Sequence, residues 1–203
     1  MSDTSTRLNS SKNQNWRTDK RELDLVRLLG EIKLDPMTDA DNPTKARLYI
    51  CPTGGNTGFK DVFAVPEAAF ASIQGLTFVN PTWGRSLTKV AHMLAQQGHH
   101  VSNPKYGQND MVVLAPHRLD TKWCRMLQRS ADKVCVLPYR PYFLEQKPDG
   151  SWGRAQAKDK TGKLRDTAVT VPCAFYYWGY RPGDFHAMMI GAVPEATFIK
   201  VDR

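Results

Sequence analysis

No apolar run in these 203 residues comes near the roughly 18 needed to cross a bilayer. The opening stretch, Met1 to Asn15, is polar and serine-rich and lacks the apolar core of a secretory leader. It is predicted to be a disordered arm in front of one domain over residues 16–203, and a cytoplasmic location is expected. Cysteine is scarce. Cys51, Cys124, Cys135 and Cys173 form no C-x-x-C pair, so no metal site is expected and buried free thiols in a reducing compartment are the better reading. Dinucleotide and P-loop glycine patterns are also missing. Thr53-Gly54-Gly55-Asn56-Thr57-Gly58 is rich in glycine but has neither spacing, which leaves a surface turn. There is no internal repeat.

What is abundant is positive charge. The formal net charge is +8, with a sequence pI near 9.4, which favours an anionic partner, nucleic acid being the commonest. Leu25, Leu28 and Leu29 predict a helix over about 19–29, capped by Thr18 and stopped by Gly30. Ile32 and Leu34 predict a short strand ending at Asp35-Pro36. Asn42-Pro43 reads as a helix start, with the helix running to about Tyr49. A brief strand at 61–63 and a short helix over 66–73 follow. Leu76 to Val79 is a strand, and the 3.6-residue recurrence of Leu87, Val90, Ala91, Leu94 and Ala95 is a helix over 85–97. Met111 to Ala115 reads as a strand buried on both faces. A helix over 121–129, strands at 134–137 and 169–178, a helix near 184–190 and a strand near 197–201 complete the pattern. Strands alternating with helices predict an α/β fold with a mostly parallel sheet and an antiparallel C-terminal strand. In such a sheet the corners Asp35-Pro36, Asn80-Pro81 and Pro116-His117-Arg118 share one edge, where ligands bind.

The corner Asn80-Pro81-Thr82-Trp83-Gly84 carries the sharpest chemistry. An amide side chain, a carbonyl held by proline and a flat ring suit an amino group on a planar heterocycle. Taken alone, an Asn-Pro after a strand is also the composition of an ordinary turn. The segment 146–166 holds Lys147, Arg154, Lys158, Lys160, Lys163 and Arg165 with Trp152. It reads as an exposed hairpin or long loop inserted in the fold, either merely solvated or a clamp on phosphates.

The order of several short motifs resembles the small phage-type DNA N6-adenine methyltransferases. These are Trp16-Arg17-Thr18, Leu34-Asp35-Pro36, Asn42-Pro43 with Ala46 and Tyr49, Asp61, and Phe78-Val79-Asn80-Pro81-Thr82-Trp83-Gly84-Arg85. Later come Val113 to Trp123, with Arg118, Asp120 and Trp123, and Val171-Pro172-Cys173-Ala174-Phe175. The resemblance covers about residues 16–178. It implies a Rossmann-like methyltransferase fold that binds S-adenosylmethionine. The catalytic tetrapeptide falls on Asn80, Pro81, Thr82 and Trp83, and the cofactor motifs on Trp16, Thr18, Asp35, Pro36 and Asp61. DNA contacts are then expected from Arg85, Arg118, Lys122, Arg140, Lys147, Trp152, Arg154, Lys158, Lys160, Lys163 and Arg165. The implied activity is methyl transfer to a flipped adenine of DNA in a host cytoplasm, for example to protect a phage genome from restriction. Asn80 Oδ1 and the Pro81 carbonyl would accept the amine hydrogens, and Trp83 would stack on the base. Thr82 departs from the family's second proline and restores a backbone N–H. It leaves open a methyltransferase-like protein that only binds DNA or a protein partner. Methylation of cytosine N4 is a third reading, disfavoured by Asn80 where serine is frequent.

Overall fold

The computed structural model describes residues 16–83, 86–159, 161–199 and 201. The arm before Trp16 and the candidate DNA contacts Arg85 and Lys160 lie outside the described residues. The first described elements are β1 (Arg17–Thr18) and α1 (Lys20–Arg27). Asp19 caps α1 in place of the predicted Thr18: its Oδ1 accepts from the Arg21 N–H at 3.2 Å. Next come β2 (Ile32–Asp35), β3 (Leu48–Tyr49) and β4 (Gly75–Val79). The helix predicted from Asn42 does not form. Asn42 and Lys45 have φ of 46° and 53°, and the Asn42 side chain bonds both the N–H and the carbonyl of Ala46. That local closure competes with a helical turn. The brief strand predicted at Asp61 is a 3₁₀ turn over Val62–Ala64, and the helix predicted from Pro66 shrinks to a 3₁₀ turn over Phe70–Ser72.

From there the chain follows the predicted alternation through α2 (Leu87–Val101), β5 (Asn109–Pro116), α3 (Lys122–Ser130) and β6 (Lys133–Val136). The insert then folds as strands: β7 (Phe143–Gln146), β8 (Trp152–Arg154), β9 (Gln156–Lys158) and β10 (Leu164–Asp166). The chain closes with β11 (Cys173–Gly179), α4 (Pro182–Ala192) and β12 (Thr197–Ile199).

The main sheet has seven strands in the order β12-β6-β11-β5-β4-β2-β3. Its pairings β3–β2, β2–β4 and β4–β5 are parallel, while β5–β11, β11–β6 and β6–β12 are antiparallel. Two small sheets, β1-β7-β8 and β9-β10, are wholly antiparallel. This corrects the expected Rossmann-like, mostly parallel sheet. The chain is α/β with a mixed sheet, and antiparallel pairings predominate across the described strands. The cause lies after β6. A parallel neighbour needs a crossover, usually a helix. Between β6 and β11 the chain makes hairpins instead, so β11 enters antiparallel, and it does so in the interior of the sheet. All seven of its residues are buried, among them Tyr176, Tyr177 and Trp178.

Alternate strand residues feed two cores. On one face α2 and α3 pack Leu87, Val90, Leu94 and Leu127 over Val79, Met111, Val113 and Tyr176. On the other, α1 and α4 pack Leu23, Val26, Phe185 and Met189 over Phe78, Val112, Leu114 and Phe175. Gly98 of α2 permits one close approach: a Cβ there would fall 2.5 Å from the Trp178 ring. At the amino end of β5, buried Asp110 accepts from the Tyr177 hydroxyl and from Arg181 Nε at 2.8 Å. The Arg181 guanidinium also donates to the Leu29 carbonyl. This cluster ties β5, β11 and the starts of α4 and β2 together. It sits at the sheet edge opposite the carboxyl ends of β2, β4 and β5.

Candidate functional site

Because β2, β4 and β5 are parallel neighbours, their carboxyl ends lie on one edge. That brings the corners Asp35-Pro36, Asn80-Pro81 and His117-Arg118 to the same side. Asn80 follows β4, and alternation turns it toward the face that carries α1. There its Nδ2 donates to Thr18 Oγ1 at 3.0 Å. Its Oδ1 is buried and makes no hydrogen bond among the described residues. Pro81 is buried behind it, and Thr82 is half-buried.

Thr18 is held in turn by the insert. In β1 it sits opposite Phe143 of β7, and Arg17 sits opposite Leu144. Arg154 Nε of β8 reaches Asp19 Oδ2 at 2.8 Å, so one carboxylate both caps α1 and anchors the insert. The Arg17 guanidinium lies 3.5 Å from the centroid of the Trp152 ring and pairs with Asp39 at 2.8 Å. Trp83 meets Phe143 edge-to-face, centroids 4.9 Å apart at 90°, and Trp16 meets the same ring at 6.4 Å. The buried Trp83 Nε1 has no hydrogen-bond partner among the described residues. Asn80, Thr18, Trp83, Phe143 and Trp16 are therefore one assembly of three distant chain segments.

Two residues not singled out in the sequence adjoin it. Glu22, in the first turn of α1, is 1% exposed, and its Oε2 makes no hydrogen bond among the described residues. Tyr139 packs against the same core as Trp16 and Trp83; its buried hydroxyl interacts with Glu22 but makes no close hydrogen bond among the described residues. Four of the six buried side-chain polar atoms without a hydrogen bond among the described residues thus belong to Glu22, Asn80, Trp83 and Tyr139. Glu22 and Tyr139 lie close enough to influence each other's ionisation, which leaves Asn80 Oδ1 and Trp83 Nε1 as the buried atoms of this group with no partner among the described residues. Tyr139 was legible in principle: Leu137-Pro138-Tyr139 is a strand end with proline and an aromatic, the same kind of corner as Asn80-Pro81.

Burial raises the Glu22 carboxyl to about 7. Burial likewise raises Asp35 to about 6, against the lowering effect of its Thr44 hydrogen bond. For both acids the folded state holds the proton more tightly than the unfolded chain. Their contribution to stability is therefore greatest below the unfolded values near 4 and is lost as pH rises toward 6 and 7. Glu22→Gln is expected to flatten that decline, with a gain at pH 8 of up to about 3 kcal/mol. Urea unfolding of both proteins between pH 4.5 and 8 measures it; parallel curves would show that Glu22 does not titrate in this window.

The cofactor candidates fall into two kinds. Asp35 is fully used inside the fold: Oδ2 accepts from the Thr44 hydroxyl at 2.8 Å and Oδ1 from the Met37 N–H at 3.2 Å. With buried Pro36 it fixes the turn after β2. Asp61 is exposed and caps its 3₁₀ turn through Oδ1, on the Phe63 N–H at 2.9 Å, leaving Oδ2 to solvent. Val62 and Phe63, next to Asp61, pack with the core on the α2–α3 face, whereas Trp16 packs with the core on the α1–α4 face.

The expected DNA contacts divide in the same way. Lys147 is tied to Glu145 and to the Arg154 carbonyl, Arg154 to Asp19, Arg165 to Asp159 and Arg118 to Asp120. Trp152 is covered on one face by Arg17. Lys122, Arg140, Lys158 and Lys163 are exposed and make no ion pair among the described residues. An open groove of about 740 Å³ runs along α1, walled by Arg17, Thr18, Lys20, Arg27, Lys45 and Trp152. Thr18, which accepts from Asn80, is one of its lining residues, and Asn80 is not. Among the described residues no group of His, Cys, Asp or Glu could hold a metal, and no helix is long and apolar enough to cross a membrane. No protein-family model matches this sequence, and no curated protein matches it.

Proposed function

We propose that the protein is a DNA adenine N6-methyltransferase that uses S-adenosylmethionine. The observation that carries this reading is the state of Asn80. Its Nδ2 donates to Thr18 Oγ1, and its Oδ1 is a buried acceptor with no hydrogen bond among the described residues. The N6 amine of adenine is a weak nucleophile because its lone pair is delocalised into the ring. Two acceptors on its hydrogens draw the nitrogen toward a tetrahedral shape and localise that pair. Acceptors held in advance cost no reorganisation when charge develops. Trp16 and Asp61, whose surroundings pack on opposite faces of the sheet, are the candidates to hold the cofactor, with Asp35-Pro36 fixing the turn after β2. When bound it supplies an electrophilic methyl group. The chain's residues do the rest: they hold the amine, exclude water and keep the approach in line.

A duplex must release its base to reach Asn80, at a cost of a few kcal/mol. The net charge of +8 supports a phosphate-bearing partner. Of the cations along the α1 groove, Arg17 pairs with Asp39 and Asp41, Lys20 and Arg27 pair with Asp24, and Lys45 makes no ion pair among the described residues. Lys158 and Lys163 lie on the exposed β9–β10 hairpin, whose root is fixed to Asp19 through Arg154. Replacing both with glutamate is expected to weaken DNA binding and to reduce the slope of log K against log salt by about 2. Fluorescence anisotropy across a salt series measures it, and an unchanged slope would remove the hairpin from the interface.

The covering of Asn80 by Thr18 favours a second reading, a methyltransferase-like protein that binds DNA without turnover. One experiment separates them. The protein is expressed in a host that lacks adenine methylation, and nucleosides from its DNA are analysed by mass spectrometry. N6-methyladenine that disappears with Asn80→Ala supports the enzyme. DNA binding with no methylated base, and no heat of cofactor binding, supports the binder.

A further inference from the structure

The two edges of the main sheet are finished differently. At one, the glycine-bearing loop after β3 closes the strand. Asn56 Oδ1 accepts from the Tyr49 N–H at 2.8 Å, and Asn56 Nδ2 donates to the Arg47 carbonyl at 2.8 Å. The Asn56 N–H adds a bond to the Tyr49 carbonyl at 3.3 Å. One residue thus supplies the partners that a further strand would. At the other edge β12 pairs with β6, and no described residue hydrogen-bonds its outer side. An open edge is a template for another strand, and native sheets normally cover it or guard it with charge. β12 is short, but Thr197, Phe198 and Ile199 carry no charge. The surface beside it is apolar. His186 of α4 packs edge-to-face on Phe198, centroids 4.2 Å apart at 84°, so that side of the helix overhangs β12. Ile190 lies one turn further along the same side and is 44% exposed. From Pro182 to Ile199 there is no Lys or Arg, although the chain holds 28.

We infer that β12 pairs with β12 of a second copy of this chain, antiparallel across a two-fold axis, and that Ile190 of each copy covers the join. Two-fold dimers use one patch on both partners. An antiparallel pair of identical strands meets that condition, each strand offering the other the same row of N–H and carbonyl groups. Charge decides the occupant. A partner drawn by the net charge of +8 would be acidic, and it would find no cation between Pro182 and Ile199 to pair with. DNA is excluded from the patch for the same reason. Two copies of a basic chain repel each other except where cations are missing, and this stretch is such a place. Three strands separate β12 from β4, so the join leaves the Asn80 corner open. The inference does not depend on the methyltransferase reading.

The test is sedimentation equilibrium of the full-length protein in salt that screens the net charge. A particle of twice the 22.9 kDa chain mass is expected. Ile190→Lys puts a charge into the join from each side, at a position already exposed in the single chain. It is expected to raise the dimer dissociation constant by at least about a hundredfold. Ala157→Lys adds the same charge on exposed β9, away from the join, and should leave the constant unchanged. Hydrogen exchange gives a readout that needs no variant. The β12 amides should exchange more slowly as the concentration of the unaltered protein rises, while those of β3, already closed by Asn56, should not change. A chain that stays at 22.9 kDa up to its solubility limit overturns the inference, whatever other strand pairs at that edge. So does a dimer whose β12 exchange is independent of concentration, or one that Ile190→Lys and Ala157→Lys weaken to the same extent.

Discussion

Asn80→Ala is expected to lower the rate of adenine methylation by about 10²–10³-fold, the usual loss when one preorganised contact to a developing charge is removed. The substitution deletes the buried Oδ1 acceptor and also the Nδ2 donor to Thr18. Those two losses can be told apart with Asn80→Asp. A carboxylate still accepts from the amine, and the Thr18 hydroxyl can turn to donate to it. Asn80→Asp should therefore retain well over tenfold more activity than Asn80→Ala. Single-turnover rates with saturating DNA and methyl donor make the comparison at the chemical step. If both variants fall equally, holding Thr18 is the function of Asn80 and the acceptor is not. If neither falls, the corner is a turn and the proposed chemistry fails.

The second large effect concerns stability and lies at the opposite edge of the sheet. Asp110→Ala is expected to cost about 3–5 kcal/mol, the range for removing one partner of a buried ion pair. Asp110 is 2% exposed and receives both the Tyr177 hydroxyl and Arg181 Nε. Without it, the hydroxyl has only the Arg181 N–H, which it accepts at 3.1 Å, and no acceptor of its own. The guanidinium keeps only the Leu29 carbonyl and the Tyr180 ring. Domains of this size are stable by about 5–15 kcal/mol, so the loss is a large share of the total. Tyr177→Phe removes two hydrogen bonds, the one donated to Asp110 and the one accepted from the Arg181 backbone N–H, but leaves the ion pair, and should cost about 1–3 kcal/mol. Urea unfolding followed by tryptophan fluorescence measures both. Equal losses for the two variants would mean that the charge adds nothing to the hydroxyl.

The parts of the fold set by one segment at a time were legible in the sequence. The helix over 121–129, the 3.6-residue recurrence from Leu87 and the unbroken apolar run at Met111 placed α3, α2 and β5 to within about four residues of their ends. The parts set by distant partners were not. Pro43 after Asn42 reads as a helix start, yet the Asn42 side chain closes a turn on Ala46 and the helix is lost. Strand direction after β6 was misjudged because helix alternation stops there, and composition does not say that β11 will enter between β5 and β6. Charge in the insert was over-read: three of its six cations are spent on Glu145, Asp19 and Asp159. In the candidate site Asn80 and Trp83 stood out, because proline and aromatics at a strand end are rare. Phe143 and Glu22 did not, since their role comes only from β7 pairing with β1 and from α1 lying over that corner.

That pairing sets an order of assembly. The segment that holds Asn80 is made first, and the strand that fastens it is made more than a hundred residues later. A chain emerging from the ribosome can form α1 early, but Thr18 has no neighbour to lie against until Phe143 and Arg154 have been synthesised. Closing so long a loop also carries an entropic cost that shorter contacts do not. The corner around Asn80 is accordingly among the last parts to be completed. A chain broken off between Trp83 and the insert would carry every residue of the tetrapeptide and still lack the strand that holds Thr18 against it.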